Sequence, residues 1–330
     1  MSLDTIKHYP VMLNEVLYYL KDKSSIIDCT FGGGGYSQAI LEKFPNSNLL
    51  ALDRDPSVKK YSDILLKKYK NSFKFKNLKF SQIDQLDSLN EIDFFIFDLG
   101  VSHFQLKEAS RGFSFMKEGS LDMGMGLNNF NALELVNNAS ENELKNIIKT
   151  LGEEKFAVKI AKLIVKERGI NKILTTTNLS NIIEKVKFKK NKTNPSTKTF
   201  QSLRMVVNQE LSVIFSALNY IFQKSKNGSI IIVVSFHSLE DTLIKRIFNH
   251  YGKTINSSRY FPDNQHDKNY EFEILTKKPL LPSELEIKEN FSSRSAKLRV
   301  IKKIKNPSKV LLRKDLKMEK YFHLEESINV

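Results

Sequence analysis

Short apolar runs alternate with helical spacing in the first hundred residues. Runs at 24–30, 48–53 and 92–100 are continuously apolar and end in Asp, Thr or Gly, which is typical of strands buried on both faces of a parallel sheet. Between the second and third runs, apolar residues recur at helical spacing, and an alternating stretch at 73–80 follows. The helical positions are Val58, Tyr61, Leu65 and Tyr69. The pattern predicts a βαβαβ half-sheet.

After Gly100 the strand pattern stops until residue 227, and helical periodicity replaces it. The apolar positions of two such segments are Phe156, Ile160, Leu163 and Ile164, then Leu179, Ile182 and Val186. A single long helix is predicted after Pro195, leading back toward the sheet. Its predicted buried face is Phe200, Leu203, Val207, Leu211, Ile214, Leu218 and Ile221. We therefore expect a helical domain inserted into the sheet domain.

Strand signals return at 227–238, followed by a helix with Leu239, Leu243, Ile247 and Phe248 on one side. Alternating stretches at 270–280 and 295–304 predict an antiparallel pair at the edge of the sheet. The expected domains are the first part of the sheet domain at 1–105, the helical insert at 106–205, the second part at 206–304 and a charged tail at 305–330. For the tail we expect a frayed or separately docked helix.

The amino-acid composition also indicates a class of binding partner. The net charge of +15 and pI near 9.5 favour polyanions such as nucleic acid, although lysines spread over a solvated surface would give the same totals. One cysteine, Cys29, excludes a disulfide framework or a Cys-rich zinc site, and no metal is predicted. No apolar run of about 18 residues and no secretory pattern are present, so we expect a cytoplasmic protein without a membrane span.

The stretch "IIDCTFGGGGYSQAI", residues 26–40, combines a strand, a glycine turn and a helix start. This arrangement suits a dinucleotide phosphate or another ligand at a helix N-terminus, but the spacing fits GxGxxG poorly. Asp28 before the loop disfavours pyrophosphate and suits the ammonium group of S-adenosylmethionine. Asp53, at the end of the next strand, can accept from both ribose hydroxyls. The alternative is a tight turn whose acids only cap helices.

Longer motifs are more specific than the glycine loop. In order they are "HYPVMLNE", "DCTFGGGGYS", "ALDRDP", "DLGVSHFQL", "RGFSFMKEGSLDMGM", "GEEKFA", "TKTFQSLRMVVNQEL" and "SFHSLED". From His8 to Lys303 the chain resembles the RsmH/MraW family of ribosomal RNA small-subunit methyltransferases. The resemblance implies a class I Rossmann-like, S-adenosylmethionine-dependent fold with an inserted α-helical domain. It also implies methylation of N4 of the cytidine at position 1402 of 16S rRNA, in the small ribosomal subunit.

The resemblance also implies which residues bind the cofactor. They are Gly34, Gly35, Tyr36, Asp53, Phe80, Asp98 and Gln105. Several positions depart from the family pattern: Gly33 and Gly124 replace arginines, Asn194 and Lys198 replace His and Arg, "HF" at 103–104 replaces a Ser-Pro type pair, and Tyr36 replaces a histidine. Most of these changes affect the expected substrate face, where lysine does not reproduce arginine's two-pronged hydrogen bonding.

Methyl transfer to an amine depends on positioning and on an acceptor for one N–H. Asp98, at the end of the third apolar run, is predicted for this role as well as for cofactor binding. His237 and Asn208 are the other predicted catalytic residues. The predicted substrate contacts are Arg204, Gln201 and Ser235. The structural alternative for His237 is a contact that ties the strand to the next helix. For the polar stripe 201–208 the alternative is a solvated helix face.

Two basic runs are candidates for holding the RNA backbone while the target base leaves its stack. They are Lys185, Lys187, Lys189, Lys190, Lys192 and Lys198, and Arg294, Arg299, Lys302 and Lys303. Three other functions stay open: an amino-methyltransferase of another RNA or DNA, a cofactor-binding ribosome-assembly factor without transfer activity and, more distantly, a dehydrogenase. The sequence leaves the oligomeric state undetermined.

Overall fold

The computed structural model describes residues 10–128, 130–186, 194–253 and 270–328, apart from the side chain of His103. The chain forms two compact units. The first comprises Met1–Gly100 and Ile214–Lys317, and the second comprises Val101–Val213 and Met318–Val330. By compactness the chain thus divides after Gly100, Val213 and Lys317, whereas the sequence-based boundaries lie at 105, 205 and 304.

In the described residues, one sheet of eight strands forms the centre of the first unit. The strands are β1 (Ser25–Asp28), β2 (Asn48–Asp53), β3 (Phe73–Asn77), β4 (Phe94–Asp98), β5 (Ile230–Ser235), β6 (Gly252–Lys253), β7 (Phe272–Ile274) and β8 (Lys297–Lys303). Their order is β3-β2-β1-β4-β5-β8-β7-β6, with the first five parallel. This order, which reverses at β1, is that of a Rossmann-like doubly wound sheet. The predicted α/β class is confirmed.

Thirteen α-helices occur in the described residues. They are α1 (Leu13–Tyr19), α2 (Gly35–Lys43), α3 (Lys59–Lys68), α4 (His103–Lys107), α5 (Ala132–Asn138), α6 (Glu141–Thr150), α7 (Ala157–Arg168), α8 (Thr176–Val186), α9 (Thr197–Asn208), α10 (Glu210–Lys224), α11 (Ser238–Tyr251), α12 (Glu284–Glu289) and α13 (Glu319–Glu326). Seven of them, α4 to α10, lie between β4 and β5, as the helical pattern after Gly100 predicts.

Parallel pairing brings the carboxyl ends of five strands to one edge of the sheet. Asp28 of β1 pairs in register with Ile96 of β4, and Asp98 of β4 pairs with Val234 of β5. Asp53 ends β2 and pairs with Asn77 of β3. In open α/β sheets this edge is where ligands bind, so the fold brings the predicted acids to the appropriate place.

Two strand predictions are too long. The stretch 73–80 is a strand only to Asn77, and a 3₁₀ helix runs from Phe80 to Gln85. The stretch 270–280 is a strand only over β7. The antiparallel pairing of β7 with β8 is confirmed, but β8 also pairs antiparallel with β5 and therefore lies inside the sheet.

The single long helix predicted after Pro195 is wrong. It is two helices, because Gln209 has left-handed backbone angles, with φ of 52°, and its N–H donates to the carbonyls of Met205 and Val206. The predicted apolar face is nevertheless buried in full, from Phe200 to Ile221. Apolar spacing continues across the break, which explains why the pattern conceals it.

The described part of the C-terminal tail, residues 305–328, is divided between the two units. In the first unit, Arg246 Nη1 donates to the carbonyls of Leu316 and Lys317 at 2.6 and 2.9 Å, and Leu311 N–H donates to the Tyr251 hydroxyl at 2.8 Å. The segment from Met318 onward, with α13, belongs to the second unit.

No single helix in the described residues has the length and apolarity to cross a membrane, and only α9 and α10 taken together meet that test.

Candidate cofactor and substrate sites

The glycine loop joins β1 to α2, and its glycines differ in the space around them. Gly34 precedes α2 with φ of 80°, and a Cβ there would lie 2.9 Å from the Phe31 ring. At Gly33 a Cβ would meet nothing within 4 Å. The loop thus needs glycine at 34 for its own fold, whereas at 33 it presents bare backbone to open space.

Asp28 lies beneath the loop. Its side chain is fully buried and accepts hydrogen bonds from Thr30 N–H at 3.2 Å and the Ser37 hydroxyl at 2.7 Å. Burial raises the pKa of this carboxyl to about 6. The expected direct contact with a ligand ammonium group is therefore corrected: Asp28 holds the loop together from inside.

Asp53 ties β2 to the same loop. Its carboxylate accepts from Gly32 N–H at 2.7 Å through one oxygen and from Asp55 N–H at 2.8 Å through the other. Burial raises its pKa to about 6. Each carboxylate oxygen has a second lone pair, so Asp53 can position the loop and still accept from a pair of ligand hydroxyls.

Asp98 ends β4 beside the loop. Its N–H donates to the Thr30 hydroxyl at 2.7 Å, while its buried Oδ1 has no hydrogen-bond partner among the described residues. Burial raises the pKa of this carboxyl well above its usual range, and the charges of Asp28 and Glu240 add to the rise. A buried acceptor without a donor is costly unless a ligand supplies one, so Asp98 is the strongest candidate ligand contact.

The two aromatic residues predicted to contact the cofactor differ in how deeply they are buried. Phe80 begins the 3₁₀ helix after β3, is half-buried and packs edge-on against Phe97, with ring centres 5.5 Å apart. Tyr36 in α2 is buried, and its hydroxyl donates to the Val11 carbonyl. The Tyr36 phenol therefore serves the fold, and Phe80 keeps part of its surface accessible.

At the end of β5, Ser235 and His237 have internal partners. Ser235 is buried and its hydroxyl donates to the Lys297 carbonyl at 3.4 Å. His237 caps α11: its Nδ1 accepts from Glu240 N–H at 3.4 Å, and its Nε2 lies 3.3 Å from Glu240 Oε1. Glu240 Oε2 in turn accepts from Phe236 N–H at 2.9 Å. The structure thus gives His237 the strand-to-helix tie that was the alternative to a base contact.

In the second unit, Asn208 organises a loop. Its Oδ1 accepts from Met125 N–H at 2.9 Å and Asn128 Nδ2 at 3.0 Å. Its Nδ2 donates to the carbonyls of Met123 and Arg204 at 2.8 and 2.9 Å. Every polar position of the amide is engaged, so Asn208 positions residues 123–128 and has no position left for direct catalysis.

Two predicted substrate residues, Arg204 and Gln201, and the predicted cofactor residue Gln105 also lie in this unit and are engaged to different degrees. Arg204 donates through Nε and Nη2 to the two oxygens of Glu210, at 2.6 and 3.0 Å. Gln105 forms a capping box with Ser102 at the start of α4, accepting from Ser102 N–H at 2.9 Å. Gln201 is half-buried, and its side-chain polar contact among the described residues is weak, 3.9 Å from Nε2 to Met205 Sδ. Gln201 is the most available member of the stripe.

The two basic runs are less uniform than the sequence predicts. Lys187, Lys189, Lys190 and Lys192 lie outside the described residues. Lys185 pairs with Glu167 at 2.8 Å, and Lys198 donates to the Glu153 carbonyl at 2.8 Å. Both of these lysines keep exposed positions beside the undescribed segment.

The second basic run is corrected, because two of its members are buried. Arg299 pairs with Asp241 at 2.7 Å, and Lys303 Nζ donates to the carbonyls of Gln223 and Ser225. They are buried because β8 lies between β5 and β7. Arg294 is exposed, with its guanidinium 4.3 Å from the centre of the Phe291 ring.

Sequence reasoning missed two residues that support the site. Thr30 holds the backbone of Asp98 from the next strand, and Glu240 fixes His237. A signal for Glu240 was present, since a polar cap followed three residues later by Glu is a capping-box spacing. For Thr30 there was none, because its contact crosses from one strand end to another.

Comparisons with known proteins agree over most of the length. Residues 5–304 match the MraW methylase family. The ribosomal RNA small subunit methyltransferase H of Orientia tsutsugamushi (strain Ikeda) is 42% identical over 307 residues, covering 90% of this chain and 98% of that protein. The protein of the same name from Rickettsia massiliae is 43% identical over 304 residues, with the same coverage.

Among solved structures, a putative rRNA methylase from Clostridium thermocellum covers 89% of this chain and 94% of its own, at 10% identity and a TM-score of 0.41. The fold assignment therefore rests on the sheet order above, and the family on the sequence. At this identity over this length, the chain belongs to the MraW methylase family.

Proposed function

We propose that this protein transfers a methyl group from S-adenosylmethionine to N4 of the cytidine at position 1402 of 16S rRNA. Family membership and the names of relatives at 42–43% identity support the rRNA methyltransferase class. The observation that carries the proposed chemistry is Asp98, whose buried Oδ1 lacks a donor at the ligand edge of the sheet. Under this proposal the protein works in the cytoplasm, with the small ribosomal subunit as its partner.

The residues around the glycine loop fit the proposed cofactor. Gly33 leaves open space beside the backbone, Asp53 has lone pairs for two hydroxyls, and the half-buried Phe80 can cover a flat ring. Gly34 precedes α2 and its N–H donates to the Phe31 carbonyl, whereas Gly35 begins the helix, where first-turn N–H groups lack helical partners. When bound, S-adenosylmethionine supplies a methyl group attached to a positively charged sulfur.

Asp98 would act on the amine. The cytosine amino group is a poor nucleophile because its lone pair is delocalised into the ring, and an acceptor for one N–H favours the localised form. Burial raises the pKa of the Asp98 carboxyl well above its usual range, so its deprotonated form is a stronger proton acceptor than an exposed carboxylate. Thr30 holds the Asp98 backbone in place for this transfer.

On the RNA side, the target base must leave its stack before the amine can be reached. Gln201 is our candidate for direct contact with the base or its neighbours. Arg204 and Asn208 would act by holding the helix junction and the loop 123–128. His237 and Ser235 would shape the end of β5, and Gln105 would set the start of α4.

The test is to incubate purified protein with labelled S-adenosylmethionine and small subunits from a strain lacking the modification. The subunits are then digested and the labelled nucleoside identified. We expect N4-methylated cytidine at a single site. Label at another base would refute the assigned position, and cofactor binding without any label would support the assembly-factor alternative.

A further inference from the structure

The helix α13 lies beyond residue 304, where the family match ends. One face of this segment is buried, and it packs against α9 and α6 of the second unit. Met318, Phe322 and Ile328 on that face are apolar, with at most 7% of their surface exposed. The same face carries an acid, Glu325, which is only 1% exposed. A buried carboxylate on an apolar face requires a partner.

The partner of Glu325 is the first turn of α10. Its two oxygens accept from Leu211 N–H at 2.9 Å and from Ser212 N–H at 2.8 Å. First-turn N–H groups have no partner inside their own helix, so acceptor oxygens there are favourable. These groups need a partner because Gln209 breaks the helix before Glu210. The acid of α13 thus caps a helix that begins in the middle of an apolar pattern.

The same junction holds residues 123–128, which begin inside the motif "RGFSFMKEGSLDMGM" and continue past its end. Asn208, just before the break, binds Met123 and Met125. Glu210, just after it, accepts from Nε and Nη2 of Arg204. The loop is also held from within the motif, since Arg111 donates to the Gly124 carbonyl at 2.9 Å. Movement of the α9–α10 junction would therefore move residues 123–128.

We propose that Glu325 is a positioning residue for the rRNA substrate: by fixing the first turn of α10, it sets Asn208 and the loop 123–128. The C-terminal helix α13 then contributes to binding of the rRNA substrate. The inference rests on the proposed function only in taking rRNA as the substrate.

The experiment compares Glu325→Ala, Glu325→Gln and the control Glu326→Gln in the full chain. Glu326 is the exposed neighbour of the same type. KM and kcat are measured as total label transferred to unmodified small subunits, and the cofactor dissociation constant is measured by calorimetry. Loss of the two hydrogen bonds from the first turn of α10 predicts about a tenfold rise in KM for the subunit in Glu325→Ala. The cofactor constant should not change.

Glu325→Gln should give an intermediate KM, because the amide fills the same space and its oxygen accepts one of the two N–H groups. Such partial recovery distinguishes positioning from a general loss of folding. If Glu325→Ala does not fold, Glu325→Gln decides the matter against Glu326→Gln. Equal subunit KM in those two variants, or parallel changes in subunit and cofactor affinity, would overturn the proposal.

The readout is independent of the proposed methylation site, because total label counts transfer at any base. If no variant and no wild-type protein transfers label, the proposed function fails while α13 is still tested. Equilibrium binding to the small subunit is then measured, and Glu325→Ala must weaken it relative to Glu326→Gln. Equal binding would refute the role of Glu325.

Discussion

The two units build their polar networks in different ways. In the first, Asp28, Asp53 and Asp98 end three parallel strands, and burial raises the pKa of each. In the second, the neutral amide of Asn208 and the carboxylate of Glu325 hold a helix junction. The first network concentrates negative charge where a cationic cofactor is proposed. The second fixes backbone where an RNA is proposed to bind.

Because they are built differently, the two networks should respond differently to substitution. Strand ends are fixed by the sheet, so a substitution there changes chemistry more than geometry. A helix junction is fixed by a few side-chain contacts, so a substitution there releases the loop it holds. Substitutions in the first unit should therefore reduce catalysis and cofactor binding, and substitutions in the second should reduce RNA affinity.

The largest expected effect is that of Asp98→Asn. Removing the proton acceptor should lower kcat by about 10²- to 10⁴-fold, with little change in subunit KM. Rapid-mix transfer of labelled methyl measures kcat, and Asp87→Asn, at an exposed carboxyl, is the control. A kcat within the range of the control would remove Asp98 from the chemistry.

The next largest expected effect concerns how the free energy of unfolding depends on pH. Because folding raises the pKa of Asp28 from 3.8 to about 6, the folded state binds the proton more tightly than the unfolded state. The free energy of unfolding therefore falls as pH rises from about 4 to about 6, by roughly 3 kcal/mol for this group. Urea titrations of wild type and Asp28→Asn should diverge over that interval.

Glu325 provides the matching case in the second unit. Its pKa is raised to about 8 by burial, with the Glu210 carboxylate adding to the rise. The stability linked to Glu325 is therefore lost over a wider interval that extends to about pH 8. Parallel curves for wild type and either variant, Asp28→Asn or Glu325→Gln, would contradict the assigned burial of that acid.

A paired experiment separates the two units directly. Asp53→Ala should raise the cofactor dissociation constant about tenfold, through loss of hydrogen bonds to a charged group, and leave subunit binding unchanged. Asn208→Ala should do the reverse, because it releases Met123 and Met125. Calorimetry with cofactor and filter binding with subunits measure the pair. Loss of both affinities in both variants would show that the two networks do not act separately.

The smallest effects concern the glycine loop. Gly34→Ala should destabilise the protein by about 1–3 kcal/mol, because the residue has positive φ and its Cβ would press on Phe31. Gly33→Ala meets nothing and should change stability by less than about 0.5 kcal/mol. Thermal unfolding of the two variants compares them. A Gly33 variant as unstable as the Gly34 variant would mean that position 33 is not open.

The sequence predicted the first network better than the second for a physical reason. Continuous apolar runs ending in Asp28, Asp53 and Asp98 identify buried parallel strands, and parallel strands bring their ends together whatever lies between them. That reasoning does not tell which acid faces a ligand. The complete burial of Asp28 beneath the loop depends on Ser37 and Thr30, whose contacts have no sequence signature.

The second network depends on contacts that local patterns conceal. Apolar spacing continues through Gln209, so periodicity cannot reveal the break. Glu325 lies in a charged tail, where an acid is normally solvated, and only its packing makes it a cap. Lys303 was misassigned for the same reason, since an alternating strand does not reveal which neighbours will cover it.

The chain passes between the two units three times, after Gly100, Val213 and Lys317. Cutting out residues 101–213 as one fragment would therefore discard α13 and leave the first turn of α10 uncapped. A faithful isolated version of the second unit would have to rejoin residues 318–330 through an engineered connection, and supplying α13 in trans as a peptide should restore order to such a fragment.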